Sequence, residues 1–529
     1  MLLLLFLLSI FCGFNTKEIL RKMTIIIIVL FGFSVLPIQA TEMISEACDR
    51  ALYEIYDLRT ITAQRIIDEE RDRDPGSLFP EYLENWKEVI ELLSYSEEER
   101  YKAYLTSLDA RLERIKQNGN KASPSYHILL GEILSHAAMA HVMYGDYLAA
   151  FSKLLKAKNN ANANVEKHPD YWLNNKLVGI MNIAFDKIPT FLRWFTNLFG
   201  LRGDAETGFK QMDQYLSQVQ HYPGLKSEIL VYYVFGLRLS RDEDMAYELF
   251  DREMDPEEAP LLALYLQASF MYMTGKNEEA LNLMFSFPTD HMEVPFNFVD
   301  FLRGKLKLNR LDQDADKYLL AFLEGYKFKN YKREVSMKLA YHYYFQGDTE
   351  KYQYYKNLVD TYPKANTYRD MEADVERERP YEPHPAILKA RHLVTGEYYT
   401  RANAEISTVD TNNLDQEAYL VEYYLITAKI RSNLHQHDEA MALYKKAIAM
   451  GRDRSEQYAA EAALYAGMLA YSKGDLQIAD EYWELSLKID GQKDIYIETI
   501  HDKAKNLLER NGDGKIAPYQ ANMSADLKD

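Results

Sequence analysis

Small and apolar residues recur along this chain at spacings that predict paired helices from Ser45 to the C-terminal region. In Tyr458–Gly491, Gly467, Gly474, Ala479 and Ser486 are separated by seven, five and seven residues. Such a pattern predicts a helix with a small residue where it crosses its partner, a glycine turn, and a second helix whose small residues accept the first. Ser125–Ala157 repeats the spacing with Ala138, Gly145, Ala150 and Ala157. Partial copies follow at Gly203, Gly208 and Tyr215; at Ala268, Gly275 and Ala280; at Gly304 and Ala315; at Ala340, Tyr343 and Gly347; at Gly396 and Ala402; and at Ala428, Ala440 and Ala447.

This skeleton resembles the tetratricopeptide repeat (TPR), which implies an all-α helix–turn–helix solenoid coiled into a right-handed superhelix. Residues 41–123 read as an N-terminal cap with degenerate repeats and 124–363 as TPR-like repeats. Residues 364–385, where Asp370, Glu372, Asp374, Glu376 and Glu378 stand between prolines, read as an irregular acidic loop or imperfect repeat. TPR-like repeats resume over 386–491, a capping helix occupies 492–511, and 512–529 is a polar tail. The segment Leu177–Leu216, with its bulky apolar helix leading into FGLRGDAETGFKQM, resembles the tetratricopeptide repeat protein 39 family. That resemblance implies a helical scaffold without a known reaction.

The first forty residues have another character. Two apolar runs flank Lys17, Glu18, Arg21 and Lys22, and the second, Thr24–Ile38, leads to Gln39-Ala40. Neither reaches the ~18 residues of a spanning helix. We read residues 1–40 as a signal peptide cut before Thr41, with Met23 as an alternative start, and the protein as exported, periplasmic or extracellular. An uncleaved N-terminal anchor is the alternative, and only then would a membrane be a partner. After cleavage Cys48 alone remains, so no internal disulfide is expected.

A formal charge of −18 opposes a phosphate backbone, and no basic patch offsets it, so nucleic acid is not an expected partner. No nucleophile elbow, phosphate loop, HExxH or paired-cysteine site is present, so neither catalysis nor a cofactor is expected. His435 and His437 flank a turn, and His136 and His141 sit five apart on a helix; neither pair makes a metal site. Glu509–Gln520 places Asn511, Asp513, Gly514 and Ile516 as in an EF-hand loop, but Glu509 and Gln520 replace the end ligands. An Asn-Gly helix stop is the reading preferred over a calcium-dependent accessory role.

Surface recognition remains. The resemblance places helix-A positions two, five, nine and twelve on the inner face, which selects Met139, Tyr265, Tyr272, Tyr341, Tyr344, Lys429, Met468 and Tyr471. That aromatic and thioether-rich set suits a protein or peptide with an apolar or aromatic segment, and it lacks the recurrent Lys and Asn of a carboxylate clamp. The expected function is a protein-interaction scaffold; a membrane-anchored structural role is the alternative.

Overall fold

The computed structural model describes residues 44–187, 200–240, 242–364, 367–414, 416–489 and 495–512. Most of its helix pairs are joined by one local event, a helix that ends on a left-handed residue. Gly145, Gly275, Gly347 and Gly474 have φ of 81, 86, 77 and 83°, where glycine has no Cβ to clash. The N–H of the next residue then reaches back five positions, from Asp146 to His141 at 2.9 Å and from Asp348 to Tyr343 and Asp475 to Ala470 at 3.0 Å. These bonds satisfy carbonyls that the helix end would leave open. Leu58, Leu311, Glu397 and His435 make the same turn without glycine, at φ of 58, 62, 62 and 61°.

Among the described residues there are 24 α-helices and no strand. Eleven adjacent pairs account for most of them. In order these are α1 (Glu46–Tyr56) with α2 (Thr60–Arg73), α3 (Phe79–Tyr95) with α4 (Glu98–Asn118), α5 (Tyr126–Met143) with α6 (Tyr147–Lys167), and α7 (Asn174–Asp186) with α8 (Ala205–Gln218). Next come α9 (Pro223–Leu239) with α10 (Glu243–Glu253), α11 (Leu261–Met273) with α12 (Asn277–Ser286), α13 (Phe298–Asn309) with α14 (Ala315–Gly325), and α15 (Lys332–Phe345) with α16 (Thr349–Thr361). After a single helix, α17 (Tyr368–Glu378), the pairing resumes with α18 (Pro385–Thr395) and α19 (Tyr399–Ile406), α20 (Glu417–Asn433) and α21 (His437–Gly451), and α22 (Tyr458–Ser472) and α23 (Leu476–Lys488). Helix α24 (Ile495–Gly512) ends the described chain.

Small residues sit where paired helices cross. A Cβ on Gly467 would lie 2.5 Å from the Trp483 ring and 3.0 Å from the Ala479 carbonyl oxygen, and Ser486 Oγ donates to the Ala460 carbonyl at 2.9 Å. Helices α7 and α8 approach through two glycines, since a Cβ on Gly208 would lie 2.6 Å from the Gly179 carbonyl oxygen. Their connection is longer than the repeat predicts. Gly203, expected at the turn, is not in the left-handed region; a Cβ there would run into the Asn182 carbonyl oxygen.

The expected acidic loop or imperfect repeat at 364–385 contains α17, which packs on α15 and α16 and touches α24. Thr367 caps it by accepting from the Asp370 N–H at 3.1 Å. The carboxylate of Asp370 turns inward and accepts the N–H groups of Tyr331 (2.6 Å) and Glu334 (3.1 Å), which fixes α17 to the start of α15. Contacts between distant segments show the array coiling back on itself. Asp49 accepts from the N–H of Leu225 at 2.9 Å, Glu293 accepts from the N–H groups of Ile61 and Thr62 at 2.8 and 2.9 Å, and Asn506 Nδ2 donates to the Ser240 carbonyl at 2.8 Å. No helix among the described residues is long and apolar enough to cross a membrane. Residues 1–40 and most of the 509–520 loop lie outside the described residues.

Candidate functional site

Between these helices lies a half-open chamber of about 630 Å³. Each wall is one face of a helix whose other face is core. Glu334, Lys338 and Tyr341 line it from α15; Arg369, Glu372 and Glu376 from α17; Tyr458, Glu461 and Tyr465 from α22; and Tyr496, Thr499 and Lys503 from α24. Spacings of three, four and seven put each set on one side of its helix. Tyr272 joins the wall from α11, Lys429 from α20, and Arg391 and Thr395 from α18.

Most of the charge here is paired. Glu376, almost fully buried, is the hub: Tyr341 and Tyr496 donate hydroxyl bonds to it, and Arg379 and Arg391 lie 3.6 and 3.5 Å away. Burial alone would raise its pKa, but Arg379 and Arg391, with the Tyr341 hydroxyl, outweigh burial and hold it well below the usual carboxylate range. Arg391 also pairs with Glu422 at 3.2 Å. Lys429 donates to Glu461 at 3.0 Å and sits 4.1 Å above the centre of the Tyr465 ring. Near α11, Lys305 reaches Glu334 at 3.2 Å and lies 4.5 Å from the centre of the Tyr272 ring, while Arg369 pairs with Glu372 at 2.7 Å. Burial would push the Tyr272 hydroxyl up, but Lys305, Lys338 and Arg369 together bring it below its ordinary value.

Of the eight residues selected from the sequence, the structure brings Tyr272, Tyr341 and Lys429 together on this chamber. Tyr341 is 3% exposed and engaged with Glu376. Tyr344 spends its hydroxyl on the Pro383 carbonyl at 2.8 Å and packs against Tyr352. Tyr265 meets Phe296 edge-on at 5.0 Å, Met139 is 43% exposed, and Met468 and Tyr471 pack against the C-terminal core around Trp483. The sequence reading did not select Glu334, Lys338, Arg369, Glu376, Arg391, Tyr496 or Lys503. For those on α17 and α24 the signal was a polar i, i+3, i+4, i+7 stripe, which looks the same as a solvated face until other helices stand around it.

A second polar cluster lies fully inside the N-terminal part. Lys176 sits between Glu132 and Glu228 at 3.3 and 2.6 Å, and donates to Tyr82 Oη at 3.0 Å. His136 joins Tyr232 at 2.9 Å, and His141 joins Tyr101 at 2.7 Å. Both histidines, given no role from the sequence, are buried structural partners. His435 and His437 stand with ring centres 6.0 Å apart at a turn.

With this geometry in hand, comparison with models of known protein families and with curated proteins finds no match for the chain.

Proposed function

We propose that the chain is an exported scaffold of tetratricopeptide type, without catalytic activity, that receives a polypeptide segment of a partner in its inner chamber. The TPR reading is supported by the eleven helix pairs, their shared left-handed turn and the small residues at their crossings. Export is supported by the basic cluster and apolar run ahead of Ala40. The observation that carries the binding role is the chamber itself. At about 630 Å³ it falls within the ~300–1,000 Å³ typical of ligand sites. Its aromatic wall offers large, rigid contact area, and Tyr hydroxyls and charged tips offer directional bonds. The partner segment therefore carries polar as well as aromatic groups.

Selection of peptides from a displayed random library on the full chain tests this. Selected peptides are expected to lose binding to Thr395→Trp, because Thr395 is exposed and lines the chamber, so a bulky side chain fills the space without entering the core. Failure to select any peptide, or peptides indifferent to Thr395→Trp, would contradict the reading.

A further inference from the structure

The chamber has more cations than its own carboxylates neutralise. On α15, Glu334 and Lys338 stand at i and i+4, an arrangement that ordinarily closes into an ion pair. Here it stays open, because the Glu334 carboxylate is taken by Lys305 at 3.2 Å. Lys338 makes no hydrogen bond and no ion pair among the described residues, although it lines the chamber and is half-buried. Arg369 beside it is held by Glu372. Around Tyr272 three cations, Lys305, Lys338 and Arg369, thus face two carboxylates, Glu334 and Glu372. Lys503, which lines the chamber from α24, faces Asp244 instead.

Glu334 and Glu376 lie within electrostatic reach of Lys338, yet neither accepts from its ammonium, so the donors of a half-buried cation stay open for an incoming anion. The Tyr272 hydroxyl makes no hydrogen bond among the described residues and lies beside these cations, so it adds a neutral donor for an oxyanion. Much of this arrangement depends on α17, a helix outside the regular pairs, so the repeat alone does not supply it. The chain as a whole carries −18, which disfavours polyanions at long range and favours a ligand with one or two charges.

We infer that Lys338, Tyr272 and Arg369 form an anion subsite that takes a carboxylate or phosphate group. The inference rests on reading the chamber as a binding site. A carboxylate would come from an acidic side chain of the partner segment and a phosphate from a free ion, and both sources are tested together.

Calorimetric titration of the full chain uses two probes, inorganic phosphate and a triglutamate peptide with both ends blocked. Wild-type protein is expected to bind at least one of them, more weakly as salt rises. Lys338→Met is expected to weaken that binding tenfold or more, and exposed Lys445→Met to leave it unchanged. Binding of the peptide without phosphate identifies the side-chain carboxylate as the source; binding of phosphate that displaces the peptide identifies the shared oxyanion chemistry. Binding of neither probe, or equal binding by wild type and Lys338→Met with both folded by circular dichroism, overturns the subsite. If library peptides bind in the Thr395→Trp-sensitive way while neither anion probe binds, the subsite fails and the scaffold role stands. If an anion binds through Lys338 and no peptide is selected, the scaffold role fails and the subsite stands.

Discussion

Replacing Glu132 with glutamine is expected to change how stability depends on pH, and the buried cluster sets both sign and size. One ammonium, Lys176, stands between the carboxylates of Glu132 and Glu228 with almost no solvent access. Burial lifts the Glu132 carboxyl to about 7, with Lys176 pulling down and Glu228 pushing up. The other titratable groups facing it are His136 and the hydroxyls of Tyr56, Tyr82, Tyr215 and Tyr232, all kept uncharged by burial. Between its ordinary value of 4.5 and about 7, folded Glu132 holds a proton that the unfolded chain releases. This contribution is therefore complete below pH 4.5 and is lost as the pH rises through 7. At about 1.4 kcal/mol per pH unit, the gap is worth ~3 kcal/mol. His136 acts oppositely: its folded pKa lies well below 6.5, so it removes stability as the pH falls through 6.5. The wild-type profile mixes these slopes, whereas the difference between wild type and Glu132→Gln isolates one of them, because His136 is common to both. Hydrogen exchange of α5 at pH 4.5 and pH 8 is the assay. The variant is expected to gain about two decades of protection relative to wild type between those values. A difference that is flat with pH, or that runs the other way, would refute the reasoning.

Three further perturbations test the fold. Gly467→Ala drives a Cβ to within 2.5 Å of the Trp483 ring and 3.0 Å of the Ala479 carbonyl; the urea midpoint is expected to fall by the equivalent of about 1–3 kcal/mol, and an unchanged midpoint would place the helix crossing elsewhere. His435→Gly relieves a left-handed turn at φ 61° and is expected to stabilise by about 0.5–1 kcal/mol in thermal denaturation, with a loss of stability counting against that turn. Asp370→Ala leaves the N–H groups of Tyr331 and Glu334 without their acceptor; a loss of about 3 kcal/mol is expected, and a calorimetric scan matching wild type would mean that α17 is not fixed through this carboxylate.

The pairing of helices was legible where the turn residue is glycine, because the seven–five–seven spacing then marks both crossing and turn. It faded at Leu58, Leu311 and Glu397, which adopt the same left-handed turn with side chains that carry no such signature. In 364–385 the prolines and dense carboxylates suggested an irregular loop or an imperfect repeat; the structure places a single helix there, with two of those carboxylates, Asp370 and Glu376, pointing inward and holding α17 in place. Of the 41 tyrosines, the sequence pattern assigned five, Tyr265, Tyr272, Tyr341, Tyr344 and Tyr471, to a recognition surface. Many instead spend their hydroxyls on carboxylates within the molecule, as Tyr343 does with Asp316 and Tyr233 with Asp213, both at 2.8 Å. Only Tyr272, Tyr341 and Lys429 of the chamber wall were selected from local pattern, since residues as far apart in sequence as Tyr272 and Lys503 share the chamber only through coiling of the array.

Hydrogen exchange of the full chain, with and without a library-selected peptide, tests the central claim most directly. Binding in the chamber predicts added protection in the wall segments 331–345, 367–378 and 495–503, and elsewhere only at the lining residues of α11, α18, α20 and α22. Protection confined to the exposed apolar residues Val142, Tyr147 and Leu148, or no change in the three wall segments, would contradict it.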